Sequence, residues 1–139
     1  MQERDWSHVS EVEEYLSIPP GEYRCKIGEV RVGVTRDGSE RWALRLEVVE
    51  GDYSGRTAGW DGLNWSERGL PRIKYVLGRL GFDTNGRLAL APEDLVNRQV
   101  VATLQQEERE EPITGRRTIR LRVPYLGYAS AENGSKTPF

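Results

Sequence analysis

Chemistry in this chain of 139 residues has to come from arginine, aromatic and carboxylate side chains, because the other reactive groups are nearly missing. There is one His, His8, and one Cys, Cys25, so no zinc site of the usual Cys/His kinds can be assembled. A Cys–His nucleophile pair would need His8, in an acidic stretch, to reach Cys25 on the apolar face of a strand. The phosphate loop G-x-x-x-x-G-K-[ST], the elbow G-x-S-x-G and the zinc helix H-E-x-x-H do not occur. A metal enzyme built on carboxylates alone survives this inventory, but the run Glu107–Glu111 reads better as a solvated hairpin tip. The expectation is therefore no enzyme, no cofactor and no metal.

Guanidinium and aromatic groups offer a different chemistry: gripping phosphate and stacking on bases. Arg24 and Lys26, Arg41 and Arg45, and Arg120 and Arg122 each alternate with apolar residues, on the parity opposite to them. If the first, second and fifth strands are neighbours, these six cations share the outward face of one sheet. Alternating arginines equally well do no more than solubilise a half-exposed sheet. Trp60 and Trp65 lie in Gly59-Trp60-Asp61-Gly62-Leu63-Asn64-Trp65, where at least one tryptophan is expected to be exposed as a stacking platform. The other reading of the pair is a cap over the end of the fold. Tyr53, beside Arg56 in a turn, is a further stacking candidate, whereas Tyr23 and Trp42 share the apolar parity and read as core.

The elements that must position these groups follow from periodicity. Val9, Val12 and Leu16 predict a short helix in a leader spanning residues 1–19, stopped by Pro19-Pro20-Gly21. Tyr23, Cys25 and Ile27 then alternate with polar residues, and Val30, Val32 and Val34 continue on the other parity. A slip at Gly28-Glu29 is what a β-bulge leaves behind. Arg36-Asp37-Gly38-Ser39 predicts a hairpin turn, and Trp42, Leu44, Leu46 and Val48 a second strand. A third strand is expected over 57–65 and a helix over 66–80, its regular part starting near Gly69. Arg72 and the other helix cations are expected to face away from any groove. One helical turn at Pro92–Leu95 and strands over 99–105 and 117–125 follow, with a polar tip between them. Residues 129–139 read as a flexible tail. Five strands with a helix between the third and fourth are the order of an OB-fold, a mostly β Greek-key barrel, over residues 20–128.

Charge agrees with this division. The chain has 22 acids and 20 bases, but residues 1–20 hold Glu3, Asp5, Glu11, Glu13 and Glu14 against Arg4 alone, which leaves the remainder net positive. A basic face is what a polyanion partner needs, and the acidic leader could occupy that face when no ligand does. A lone cysteine, no apolar run of membrane-spanning length and no signal peptide fit a cytoplasmic protein with no membrane partner.

Several short stretches resemble a family of small phage and prophage proteins from replication and recombination gene clusters. They are Pro20-Gly21-Glu22-Tyr23, Val48-Val49-Glu50-Gly51-Asp52-Tyr53-Ser54-Gly55-Arg56, Tyr75-Val76-Leu77-Gly78-Arg79-Leu80-Gly81 in the place of the family's L-x-x-x-L-G, and Asn97-Arg98-Gln99-Val100. The resemblance runs over residues 18–128 and departs at Arg98-Gln99, where the family has Gly-Lys. It implies an OB-fold that binds single-stranded DNA, with replication or recombination proteins as further partners and no agreed site residues to transfer. Oligomeric state is left open, a dimer included. The competing reading is an OB-fold adaptor that binds another protein and no nucleic acid.

Overall fold

The computed structural model describes residues 18–86 and 89–131. Strand β1 (Gly21–Val34) pairs antiparallel with β2 (Glu40–Val48), and β2 with β3 (Thr57–Trp65). Helix α1 (Leu70–Arg79) and a 3-10 turn (Pro92–Asp94) lead to β4 (Gln99–Glu110), β5 (Arg117–Arg122) and β6 (Tyr128–Ser130). The sheet order is β3-β2-β1-β4-β5, with β6 paired to β4 off that path. The protein is mostly β, an open antiparallel sheet with one regular helix among the described residues. No helix among them is long and apolar enough to cross a membrane.

The alternation in β2 works as its residue types require. Trp42, Leu44, Leu46 and Val48 are all buried, each contributing roughly 1.5–3 kcal/mol by leaving water. They share one core with Ile27 of β1, Leu63 of β3 and Leu104 of β4, and with Ile73, Val76 and Leu77 from the apolar stripe of α1. The slip in β1 is real: the register with β2 shifts between Ile27 and Glu29. Gly28 sits at the shift, and the guanidinium of Arg45 fills the space where its side chain would be, Nη2 lying 2.6 Å from an ideal Cβ.

The C-terminal strands differ from the sequence expectation. Strand β4 runs to Glu110, well past residue 105, and the tip of its hairpin with β5 is shorter than expected. Glu107 and Glu108 are ladder residues whose partners are Arg120 and Ile119. Ion pairs Arg120–Glu107 at 3.0 Å and Arg117–Glu108 at 3.0 Å hold charged residues in a strand that composition alone assigns to a loop. Strand β5 stops at Arg122, shortly before Pro124, which has no N–H to offer a ladder. After a turn closed by Gly127 N–H to the Pro124 carbonyl, the chain rejoins the same edge of β4 as β6. The sixth strand thus takes residues 129 and 130 out of the expected tail. Of the leader, Ile18 and Pro19 are described: Ile18 is buried, and the Pro19 carbonyl accepts a hydrogen bond from Tyr23. The expected leader helix and residues 132–139 of the tail lie outside the described residues.

Strands β3 and β5 are the two ends of the sheet path, and no ladder joins them. The sheet curls enough to bring them together all the same. The carbonyl oxygen of Leu121 lies 3.5 Å from the Cβ position of Gly59.

Candidate functional site

The face of β1, β2 and β3 turned away from the core carries a distinctive pattern. Residues directly opposite in a ladder share a face, so the register places Glu29, Arg45 and Trp60 in one row and Arg31, Ala43 and Gly62 in the next. Arg41 stands in the third row, between Gly33 and Asn64. Ala43 and Gly62 keep the floor of the middle row low, and two arginines lie across it. The guanidinium of Arg31 sits over the Trp60 ring at 4.6 Å from its centroid. That of Arg41 occupies the space beside Gly62, with Nη2 only 2.1 Å from where a Cβ would be. Trp60 stays 40% exposed. Arg31 is aimed by Glu29, to which its Nε donates at 2.7 Å. The same hydrogen bond holds the Glu29 carboxyl below its ordinary pKa.

A cleft follows the open seam between β3 and β5. Its first part, about 400 Å³, is walled by Arg41 and Trp60 on one side and Arg120 and Arg122 on the other. Its second part, about 440 Å³, continues to Arg72 and Tyr125. Four arginines around this second part face two carboxylates, Asp61 and Glu107, an excess of two positive charges. Arg120 and Arg122 share Glu107, at 3.0 and 3.7 Å, and both are half-exposed. Arg41 is exposed, with no ion pair among the described residues. The geometry joins an exposed indole, flat guanidinium groups and an unbalanced positive charge along one groove.

The far end of the cleft is pinned by a nearly dry network. Arg72 pairs with Asp61 at 3.0 Å, the two side chains being 14% and 12% exposed. Arg72 also donates to the carbonyls of Tyr125 and Pro124. The Tyr128 hydroxyl donates to Asp61 at 2.8 Å, and Tyr75 donates to the Tyr128 carbonyl at 2.6 Å. Burial, with the Asp61 charge second, pushes the Tyr128 phenol well above its ordinary pKa. Side chains of β3 and α1 thereby fix the turn that carries Tyr125.

Not all the expected residues reach the groove. Strand β4 separates β1 from β5, so the six cations do not form one row of neighbouring strands; Arg120 and Arg122 come to the site across the seam instead. Arg41, Trp60, Arg120 and Arg122 are gathered. Arg45 is on the same face, but Glu29 and Glu47 neutralise it at 3.4 Å each. Lys26 faces Glu47 at 3.9 Å. Arg24 is largely buried against the Ala131 carbonyl, Gln99 and Glu50, where it anchors the end of β6. Tyr53 is half-buried, edge-on to Tyr23 at 6.1 Å, with Arg56 over its ring at 5.9 Å. Trp65 packs on Trp42 at 4.9 Å, and its buried indole N–H has no hydrogen-bond partner among the described residues. The sequence reading missed Arg31, Arg72 and Tyr125. Arg31 had a usable signal, since after the slip it falls on the polar parity of β1. Arg72 had none, because helix α1 was expected to face away from the groove and in fact supplies one wall.

Among the described residues, no group of three or more His, Cys, Asp or Glu is gathered so as to hold a metal ion. A search of curated proteins returned no match. A family model described as a protein of unknown function (DUF669) matches residues 5–111. That range takes in β1 to β4 and α1 and stops at the turn before β5, so Arg120 and Arg122 lie beyond it. Covering most of the chain, the match places this protein in the DUF669 family.

Proposed function

We propose that the chain is a non-catalytic, sequence-tolerant single-stranded DNA-binding protein whose fold is an OB barrel left open at one seam. The strand order supports the fold reading. A three-stranded meander, a helix after β3, and a return hairpin that lies beside β1 are the parts of such a barrel, which is commonly only partly closed. The groove supports the function, and one observation carries it: Trp60, exposed and backed by Arg31, borders the cleft in which Arg41, Arg120 and Arg122 converge. An exposed indole stacks on any base for roughly 1–3 kcal/mol. Guanidinium groups on either side can track the phosphates. A role in phage-type replication or recombination rests on the resemblance of the turn motifs and on nothing in the groove.

The test is a fluorescence-anisotropy titration of labelled oligo(dT) at several salt concentrations, with a duplex control. Binding is expected to weaken with salt at a slope of about −0.7 for each neutralised phosphate. Tryptophan emission is expected to quench, and Trp60→Ala to weaken binding about 10-fold or more. Salt-insensitive behaviour, or no binding at low salt, would overturn the reading and leave the protein-binding adaptor in its place.

A further inference from the structure

Strand β1 changes neighbours along its length. Residues Gly21–Lys26 pair with β4, and of these Cys25 and Lys26 are paired on the other edge to β2 as well. The last contacts from the β4 side are Ile27 N–H to the Arg98 carbonyl at 2.9 Å and Asn97 N–H to the Ile27 carbonyl at 2.8 Å. Beyond the bulge β1 continues to Val34 with β2 alone, and among the described residues nothing pairs with its other edge. The polarity of that edge can be worked out. Thr35 donates to the Ser39 carbonyl at 2.8 Å, in register with the pairs Val34↔Glu40 and Gly33↔Arg41. Antiparallel ladders alternate, so Gly33, Arg31 and Glu29 bond toward β2. Val30, Val32 and Val34 therefore turn their N–H and C=O groups toward the open edge. The side chains of Val32 and Val34 are 55% and 73% exposed. An edge whose backbone groups meet no partner among the described residues, and which carries exposed valines, is a template for another strand.

We propose that this edge pairs antiparallel with the same edge of a second copy, on a two-fold axis centred at Val32. The occupant follows from self-complementarity. Only registers that set one even-numbered residue against another let outward-facing backbone groups meet. Of these, the register placing Val32 opposite Val32 of the second copy, and Val30 opposite Val34, uses all three valines of each copy. Every valine then faces a valine. On the other side of the sheet Arg31 falls opposite Gly33, and nothing lies within 4 Å of the Gly33 Cβ position, so the long side chain has room. Glu29 neutralises each Arg31 at 2.7 Å, which limits repulsion near the axis. The two meanders join into one sheet, and both grooves open on the same side of it. The pairing does not depend on the nucleic-acid reading; it is tested without nucleic acid, so either can fail alone.

Sedimentation of the full chain over a wide range of concentration is expected to show a monomer–dimer equilibrium, and Val32→Lys to stay monomeric with the thermal stability of the dilute, monomeric wild type. Register is tested by oxidation. Directly opposed, hydrogen-bonded residues have Cα atoms about 5.5 Å apart, within the range of about 4.4–6.8 Å that a disulfide spans. Val32→Cys is therefore expected to crosslink readily under mild oxidation, with buried Cys25 silent. The two copies of position 34 are separated by about four residues of strand, about 14 Å, so Val34→Cys is not expected to crosslink. A chain that is monomeric at every concentration overturns the proposal, as does crosslinking of Val34→Cys at the rate of Val32→Cys.

Discussion

Replacing Gly62 by alanine separates the chemistry of the groove from the stability of the fold. An ideal Cβ at Gly62 falls 2.1 Å from Arg41 Nη2, 2.5 Å from its Cζ and 2.8 Å from its Nε. A comfortable contact needs about 3.5 Å, so the guanidinium must withdraw by more than about 1 Å. Nothing resists the withdrawal, because Arg41 is exposed and has no ion pair among the described residues. The backbone also gains, since glycine within a strand costs roughly 0.5–1 kcal/mol relative to alanine. Gly62→Ala is thus expected to melt at or slightly above the wild-type temperature. Binding should move the other way. A hydrogen bond to a charged group is worth about 1.5–3 kcal/mol, so displacing Arg41 is expected to weaken oligo(dT) binding about 10- to 100-fold. The salt slope should flatten by about 0.7, one phosphate contact. Arg41→Ala supplies the control: alone it should reproduce the loss, and Gly62→Ala added to it should cost nothing more. The assay is the anisotropy titration run beside thermal melts of all four proteins. Wild-type affinity and slope in Gly62→Ala would refute the account of the groove. A loss of more than about 2 kcal/mol of stability would show that backbone, not Arg41, yields to the methyl group.

Three other outcomes follow from the same geometry. Asp61→Asn leaves the Arg72 charge with only carbonyl partners, and breaking so nearly buried a pair is expected to cost about 3 kcal/mol, roughly 10 °C in a melt; a cost below about 1 kcal/mol would mean that the network does not pin the turn. Burial pushes the Cys25 thiol from 9.0 to about 12 and the Tyr128 phenol well above 10.0. Both folded-state values exceed the unfolded ones, so this stability is complete below pH 9.0 and is lost as pH rises toward the folded values. Urea midpoints should fall above that pH, less steeply in Cys25→Ala, and a thiol reagent near pH 8 should label only unfolded protein. Arg45→Gln should weaken oligo(dT) binding less than Arg41→Gln by a factor of about 5, since Glu29 and Glu47 already offset Arg45; equal losses would mean that net charge alone sets affinity.

The N-terminal half of the sheet was legible in the sequence because its information is local. The parity of Trp42, Leu44, Leu46 and Val48, and the slip at Gly28, survive folding unchanged. Strand β6 was not legible: Tyr128, Ala129 and Ser130 carry no period of their own and are held by Asp61, Tyr75 and the edge of β4. The β4–β5 hairpin was misjudged because acidic residues look like a loop until the arginines opposite them are in register. Trp60 could be singled out by its glycine-rich, polar neighbours. Its partners could not, because Arg120 and Arg122 reach it around the curl of the sheet and not along a ladder.

The order of events in folding bears on the site. The ladders β1–β2 and β2–β3 join segments close in sequence, and so do β4–β5 and β4–β6. The two halves meet through Gly21–Lys26 against Gln99–Leu104, pairings of high sequence separation that form slowly. Trp60, Arg31 and Arg41 belong to the N-terminal half, whereas Arg120, Arg122 and Tyr125 belong to the C-terminal half. A ligand spanning the seam therefore binds only chains in which the halves have docked, and it holds them there by mass action. Native-state hydrogen exchange should find the same division: partial opening between the halves abolishes the groove while each hairpin keeps its own ladder.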